Sequence, residues 1–140
     1  MSHISAYRIL FSITIITLLS CTHNNGDIGP LFGQWKLTEI IINDKPDQNY
    51  NENIFFAFQN DVTNMKIVYE HHETVEAYGH WKQNGNILLL IYDDSRYLPL
   101  SETYFNAGVN TCEIIRLNGK ELILKRESDG NTYTYKFKKW

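Results

Sequence analysis

The 140-residue sequence has few of the features that tie a protein to a nucleic acid or to a membrane-spanning role. It has only two cysteines and three prolines, and its formal net charge of −3 comes without any block of basic residues. Charge spread in this way argues against nucleic-acid binding and against an electrostatic patch for membrane lipids. The apolar run over residues 9–20 is also too short for a membrane helix, since a span needs about 20 apolar residues.

Catalytic motifs are missing as well. Ser101 and Ser128 lie outside any nucleophile-elbow motif, and Cys112 has no evident base partner. Asp93 and Asp94 are adjacent in a turn-like stretch, where two carboxylates are solvated rather than arranged for acid–base work. The sequence therefore predicts a protein that is not an enzyme and that needs no cofactor.

Three histidines and a neighbouring glutamate are candidate metal ligands. His71, His72, Glu73 and His80 carry suitable atoms, and a hairpin would bring His72 and His80 to one face. Neither the His-Glu-x-x-His spacing of a helical zinc site nor a cysteine pair accompanies them. Exposed turn positions explain these residues equally well, and we predict no metal site.

The N-terminus contains the clearest signal in the chain. Arg8 precedes the apolar run, and Leu18, Leu19 and Ser20 lead into Cys21, an arrangement typical of an export signal. These residues resemble the bacterial lipobox, in which Cys21 becomes the acylated first residue of the mature protein. Two alternatives stay open: an ordinary cleaved signal peptide with a coincidental cysteine, and a buried N-terminal strand or helix.

We accordingly expect a lipoprotein signal peptide over residues 1–20, a lipidated Cys21 with a flexible tether over residues 21–32, and one folded domain over residues 33–140. Palmitate-type acyl chains on Cys21 would hold the protein stably on a membrane. The expected location is the bacterial cell envelope, at the outer membrane. With Cys21 acylated, Cys112 has no disulfide partner, and the fold has to depend on its core.

A period of two runs through nearly all of the remaining chain and predicts an all-β fold. Phe, Tyr and Trp make up 14% of the sequence, which also favours strands. Turn signals such as Asn84-Gly85, Asn118-Gly119 and Asp129-Gly130 join neighbouring strands as hairpins. The eight predicted strands cover residues 34–42, 54–59, 65–71, 74–82, 87–92, 112–117, 121–127 and 131–138.

These strands have one apolar face each. In the last strand Tyr133, Tyr135 and Phe137 share a side, and in the preceding one Leu122, Leu124 and Arg126 do. An open sheet of eight such strands would leave two exposed edges and an uncovered apolar face. We therefore predict an eight-stranded antiparallel up-and-down β-barrel, whose interior is filled by side chains or holds one small ligand.

The start of the first strand resembles a known family. Gly33-Gln34-Trp35 matches the Gly-x-Trp of lipocalins and of the lipocalin-like domains found in lipoproteins of Bacteroidetes-type bacteria. The resemblance implies that Trp35 closes one end of the barrel and that an arginine packs over its indole ring. Arg126 is the better match to that arginine, and Arg116 is the second.

The predicted barrel interior supplies the candidate ligand site. Trp35, Glu39, Tyr69, Trp81, Tyr92, Arg126, Tyr133 and Tyr135 are assigned to its wall, with ordinary core packing as the alternative for each aromatic residue. Alternation places Glu39 on the inner face, and a buried carboxylate needs water or a cationic partner. A bulge in the first strand, or a position at the wet rim, would instead remove Glu39 from the interior.

The segment 93–110 is too long for a hairpin link and is predicted to be a lid or binding loop, with a short helix near residues 101–106 as an option. Its candidate contact residues are Tyr97, Leu98, Tyr104 and Phe105.

The sequence leaves two candidate functions for the protein. The first is a membrane-anchored binder of a small apolar or amphipathic ligand. The second is an interaction module with a filled barrel, either an accessory subunit of an envelope complex or an enzyme inhibitor.

Overall fold

The computed structural model describes residues 29–51 and 53–140. The predicted signal peptide, Cys21 and most of the predicted tether lie outside these residues. In the described part, no helix is long and apolar enough to cross a membrane. Two short 3₁₀ turns, Glu70–His72 and Ser101–Thr103, are its helical elements. The strands are β1 (Gly33–Ile42), β2 (Lys45–Pro46), β3 (Ile54–Gln59), β4 (Val62–Val68), β5 (Thr74–Asn84), β6 (Ile87–Tyr92), β7 (Gly108–Leu117), β8 (Glu121–Ser128) and β9 (Asn131–Lys139).

The strands form one antiparallel sheet that closes on itself. Apart from the two-residue β2 at the end of β1, each strand pairs with its neighbour in sequence, and β1 also pairs with β9. The predicted closed eight-stranded up-and-down barrel is confirmed. The buried core of this closed sheet runs from Leu31 to Phe137.

Turn chemistry explains most of the strand boundaries. Asp129 and Gly130 have φ values of 53° and 78°, as the tight β8–β9 hairpin requires. Asn60, with φ of 49°, marks a β3–β4 turn that the sequence analysis did not identify, and β4 consequently begins at Val62 rather than residue 65. The predicted start of β7 at Cys112 was also late, since Val109 and Asn110 already pair with β6.

A bulge in β1 changes which side chains face inward. The register against β9 shifts between Leu37 and Glu39, so the extra residue reverses the alternation that began at Trp35. Ile40 is buried as a result, whereas Glu39 is partly exposed and forms an ion pair with Lys136 at 3.1 Å. The prediction that Glu39 lies in the barrel interior is wrong for this reason.

The antiparallel order gives the barrel two distinct ends. The chain enters β1 at one end, here called the base, where the last strand also finishes. The β1–β3 loop, the β4–β5 link, the β6–β7 segment and the β8–β9 turn lie at the other end, here called the mouth. Both the first described residues and the C-terminus therefore lie at the base, away from the mouth.

Candidate functional site in the barrel

Trp35 closes the base, as the Gly-x-Trp resemblance implied. Its ring is fully buried, and its Nε1 donates to the Leu31 carbonyl at 2.9 Å. The cation over its indole is Lys139, whose Nζ lies 4.5 Å from the ring centroid. Burial lowers the pKa of this lysine. The predicted stacking of Arg126, or of Arg116, on Trp35 is wrong, because Arg126 points toward the mouth and Arg116 pairs with Glu121 on the surface.

A loop segment, rather than strand side chains, fills the mouth. Residues 99–107 of the β6–β7 connection, here called the lid, bury Leu100, Thr103 and Phe105. The optional short helix takes the form of the 3₁₀ turn Ser101–Thr103, which ends at Tyr104 with φ of 61°. Phe105 stacks on Tyr135 with 4.6 Å between ring centroids and also meets Phe56 at 5.8 Å.

Two of the four predicted lid residues do not reach the mouth. Leu98 is 57% exposed, and Tyr97 is 39% exposed and packs edge-on against Tyr78 on the outside of the barrel. Only Tyr104 and Phe105 take up the predicted positions. Leu98 and Tyr97 precede Pro99 and the turn that redirects the chain inward, so they remain on the outer surface.

Polar contacts tie the lid to the barrel wall at few points. Tyr135 Oη donates to the Thr103 carbonyl at 2.7 Å, and Asn106 Nδ2 donates to Ser128 Oγ at 3.0 Å. Tyr104 Oη donates to Asp47 Oδ2 at 2.7 Å. The hydrogen bond to this carboxylate, with partial burial, raises the pKa of Tyr104 to about 12.

Arg126 lies beneath the lid as a buried cation. It is 3% exposed, and its Nη2 donates to the Tyr104 carbonyl and, at 3.2 Å, to Tyr135 Oη. Its guanidinium carbon lies 4.8 Å from the ring centroid of Tyr133 and 5.0 Å from that of Phe105. Among the described residues it has no carboxylate within 4.0 Å, and its buried Nε has no hydrogen-bond partner.

The remaining predicted wall residues divide into three groups. Tyr92 and Tyr135 are fully buried inside the barrel, and burial raises the pKa of each phenol. Tyr133 and Trp81 are half-buried and pack against the core near the two ends. Tyr69 is 40% exposed and does not line the interior, because β4 ends one residue before it. Its predicted place in the wall is wrong.

Sequence reasoning missed several residues that shape the mouth. Thr103 and Asn110 are buried polar residues, and Asn110 Nδ2 donates to the carbonyls of Leu90 and Asn106 at 3.2 and 2.8 Å. Asp47 holds Tyr104 from a different loop. The sequence gives no signal for polar residues of this kind, because their partners are fixed only when the loops pack onto the barrel.

The histidines do not gather into a cluster. His71 and His72 lie in the exposed turn before β5, whereas His80 lies within β5 opposite Val62 and Ile91. No group of three or more His, Cys, Asp or Glu side chains among residues 29–51 and 53–140 is arranged to hold a metal ion. Cys112 is buried in the core, and this burial raises the pKa of its thiol to about 12.

The family model for the lipocalin-like domain matches residues 15–140. The chain belongs to this lipocalin-like domain family. No curated protein matches the sequence. Barrels of the lipocalin-like fold commonly bind small hydrophobic ligands and are typically not enzymes.

Two solved structures resemble the lipocalin-like domain described above. A lipocalin-like protein from Bacteroides uniformis is 20% identical, with a TM-score of 0.61, over 80% of this chain and 100% of that one. An uncharacterized protein from Bacteroides eggerthii is 20% identical, with a TM-score of 0.58, over 79% of this chain and 99% of that one. At 20% identity this similarity shows a shared fold, and what fills the mouth is inferred from this chain's own residues.

Proposed function

We propose that this protein is a membrane-anchored lipocalin-like carrier that takes a small apolar or amphipathic ligand into the mouth of its barrel. One observation carries the proposal: the mouth is filled by the lid, a segment outside the sheet, rather than by side chains of the strands. In the structure the lid closes the mouth, and the ligand takes the place of the lid.

The surroundings of Phe105 support this interpretation. The ring lies among Phe56, Tyr92 and Tyr135, all of which belong to strands of the closed sheet. A site lined by aromatic rings with a few convergent polar groups is typical of small-molecule pockets. Since residues 99–107 belong to no strand, the lid can leave without breaking a strand pairing.

The membrane anchor rests on the N-terminal pattern. An acylated Cys21 would be followed by a short tether that enters the barrel at its base, where residue 31 already belongs to the core. The mouth lies at the opposite end of the barrel. An anchored carrier of this geometry holds its opening away from the point of attachment, in an envelope compartment that we take to be at the outer membrane.

A second function, a protein-interaction module, is favoured by a different observation. Tyr78 and Tyr97 form an exposed edge-on pair beside Leu98 on the outer surface, and all three side chains are more than a third exposed. Exposed aromatic residues of this kind are common in protein interfaces. In this alternative the lid is a permanent plug, and an envelope protein partner binds beside it.

A lid-locking experiment separates the two functions. Asn106 and Ser128 are in side-chain contact at 3.0 Å, so the double substitution N106C/S128C, made with C112S, would join the lid to the β8–β9 hairpin by a disulfide. Native mass spectrometry after incubation with an envelope extract is expected to show a bound small molecule in the reduced protein and none in the oxidised protein. The C112S protein is the matched control.

A protein that stays free of ligand in both redox states would contradict the carrier proposal. Capture of the same partner protein by both states, lost on Tyr97→Ala, would instead support the interaction module.

The anchor is tested separately in cells. Full-length protein carrying Cys21→Ser is expected to lose incorporation of an alkyne-labelled fatty acid and to leave the detergent phase on Triton partitioning. Cys112→Ser is the matched control and is expected to keep both properties. Labelling that survives Cys21→Ser would exclude this residue as the anchor.

A further inference from the structure

Arg126 is a feature of the mouth that core packing does not explain. A buried charge is costly unless it is paired and fully hydrogen-bonded. Arg126 is buried, yet in the described part of the chain its hydrogen bonds go to a backbone carbonyl and a phenol, and its Nε has none. The cation therefore has donors available and lacks a negative charge.

Three carboxylates that could have approached Arg126 have other partners. Asp47 accepts a hydrogen bond from Tyr104, and Glu102 accepts one from Ser101. Glu39, the carboxylate that alternation had placed inside, pairs with Lys136 on the outer surface. Among residues 29–51 and 53–140 no carboxylate lies within 4.0 Å of Arg126, so this part of the chain supplies no direct counter-charge.

The lid occupies the position where a counter-charge would sit. Arg126 donates to the carbonyl of Tyr104, which is part of the lid, and its guanidinium lies against the ring of Phe105, which is also part of the lid. When the lid leaves, this cation loses both contacts. It then faces the aromatic site lined by Phe56, Tyr92 and Tyr135.

We propose that Arg126 binds the anionic head of the ligand, and that the ligand is an organic carboxylate with an apolar body. Its carboxylate takes the place of the Tyr104 carbonyl on the guanidinium, and its apolar part takes the place of Phe105. A planar guanidinium suits this role because its fork of N–H donors matches the two oxygens of a carboxylate. The inference rests on the proposed carrier function and names the class of its ligand.

The experiment uses a neutral reporter and matched competitors. N-phenylnaphthylamine, which is uncharged, reports occupancy of the mouth by fluorescence in residues 22–140, which include every strand of the closed sheet and its buried core. Decanoate, decanol and decylammonium then compete for the site at concentrations below micelle formation. They share a chain length and differ in the charge of the head.

Wild-type protein is expected to bind decanoate about tenfold or more tightly than decanol, and decylammonium more weakly than decanol. Arg126→Met is expected to bring decanoate and decanol within about twofold of each other. Arg126→Lys keeps the charge and is expected to retain part of the preference. Arg116→Met, which removes an exposed arginine on the outer surface, is the matched control and is expected to keep the full preference.

Equal binding of decanoate and decanol by the wild type, or a preference that survives Arg126→Met, would overturn the inference while leaving the carrier function in place. Absence of both reporter binding and competition would overturn the carrier function and the inference with it. If circular dichroism shows that Arg126→Met does not fold, the Arg126→Lys variant is used instead. A preference of this variant for decanoate over decanol that is as large as that of the wild type would count against a role for the guanidinium.

Discussion

The position of Glu39 shows how one extra residue in a strand, a β-bulge, changes the side of the sheet on which a charged side chain lies. In a regular strand it would share the inner face with Trp35 and Leu37, and its carboxylate would need a buried partner. The bulge turns it outward to Lys136, where both side chains are more than a third exposed. Solvent then screens the pair, and exposed pairs of this kind stabilise proteins by only about 0.2–1 kcal/mol.

We therefore predict that Glu39→Gln lowers the free energy of unfolding by less than about 1 kcal/mol, measured by urea denaturation. Ile40→Ala is the contrasting variant, because Ile40 is the neighbour that the bulge buries, and it should cost about 2–5 kcal/mol. A larger loss for Glu39→Gln than for Ile40→Ala would mean that the strand is regular and Glu39 is buried.

At the scale of elements, the lid differs from the strands that surround it. Its buried residues are held by side-chain packing and a few hydrogen bonds, whereas every barrel strand is paired on both sides. Local stability follows such differences, since segments with few backbone pairings open at lower free energy than the sheet.

We predict that Phe105→Ala releases the lid without unfolding the barrel. Hydrogen exchange measured by NMR should then be about tenfold or more faster at the amides of Thr103, Tyr104 and Phe105 and unchanged in the centres of β8 and β9. Phe56→Ala, which removes the strand partner of the same ring contact, is the control and should lower the stability of the whole barrel by about 3–5 kcal/mol. Equal acceleration in lid and strands would show that the lid is an integral part of the core.

Some features of the lid could be predicted from the sequence, and others could not. Its length and its position between two strands follow from local patterns, but no local pattern distinguished the buried Phe105 from the exposed Tyr97 and Leu98. Whether Tyr97 or Tyr104 enters the mouth depends on how the chain turns after Pro99 and on the hydrogen bond to Asp47. These contacts join residues far apart in sequence, and no local pattern encodes them.

The whole molecule has several acidic groups that are buried in their neutral forms. Burial raises the pKa of Cys112 to about 12 from 9.0, and it raises the pKa values of Tyr92 and Tyr135 above 10.0. Above pH 9 to 10 the unfolded chain releases these protons, while the folded protein retains them. The stabilisation is therefore complete below those ordinary pKa values and is lost as the pH rises through the folded ones.

We predict that the free energy of unfolding falls with increasing pH above about 9, by up to about 1.4 kcal/mol per pH unit for each such group. Urea denaturation between pH 8 and 12 measures this slope. Tyr92→Phe, which removes one buried phenol, should reduce the slope above pH 10. Tyr97→Phe removes an exposed phenol and is the matched control. A slope that is the same in Tyr92→Phe and wild type would contradict the burial of this hydroxyl as an uncharged group.

The sequence by itself determined the barrel. The alternation in β8 and β9 and the turn residues between strands are local features that specify strand order and inner faces, and the resemblance of Gly33-Gln34-Trp35 to the lipocalin family implied the closed base. The tertiary structure decided the bulge at Glu39, the lysine rather than arginine over Trp35, the insertion of the lid and the burial of Arg126 without a carboxylate partner among the described residues. Each of these depends on which distant side chains compete for the same space and the same hydrogen bonds, and that competition is resolved only when the sheet closes.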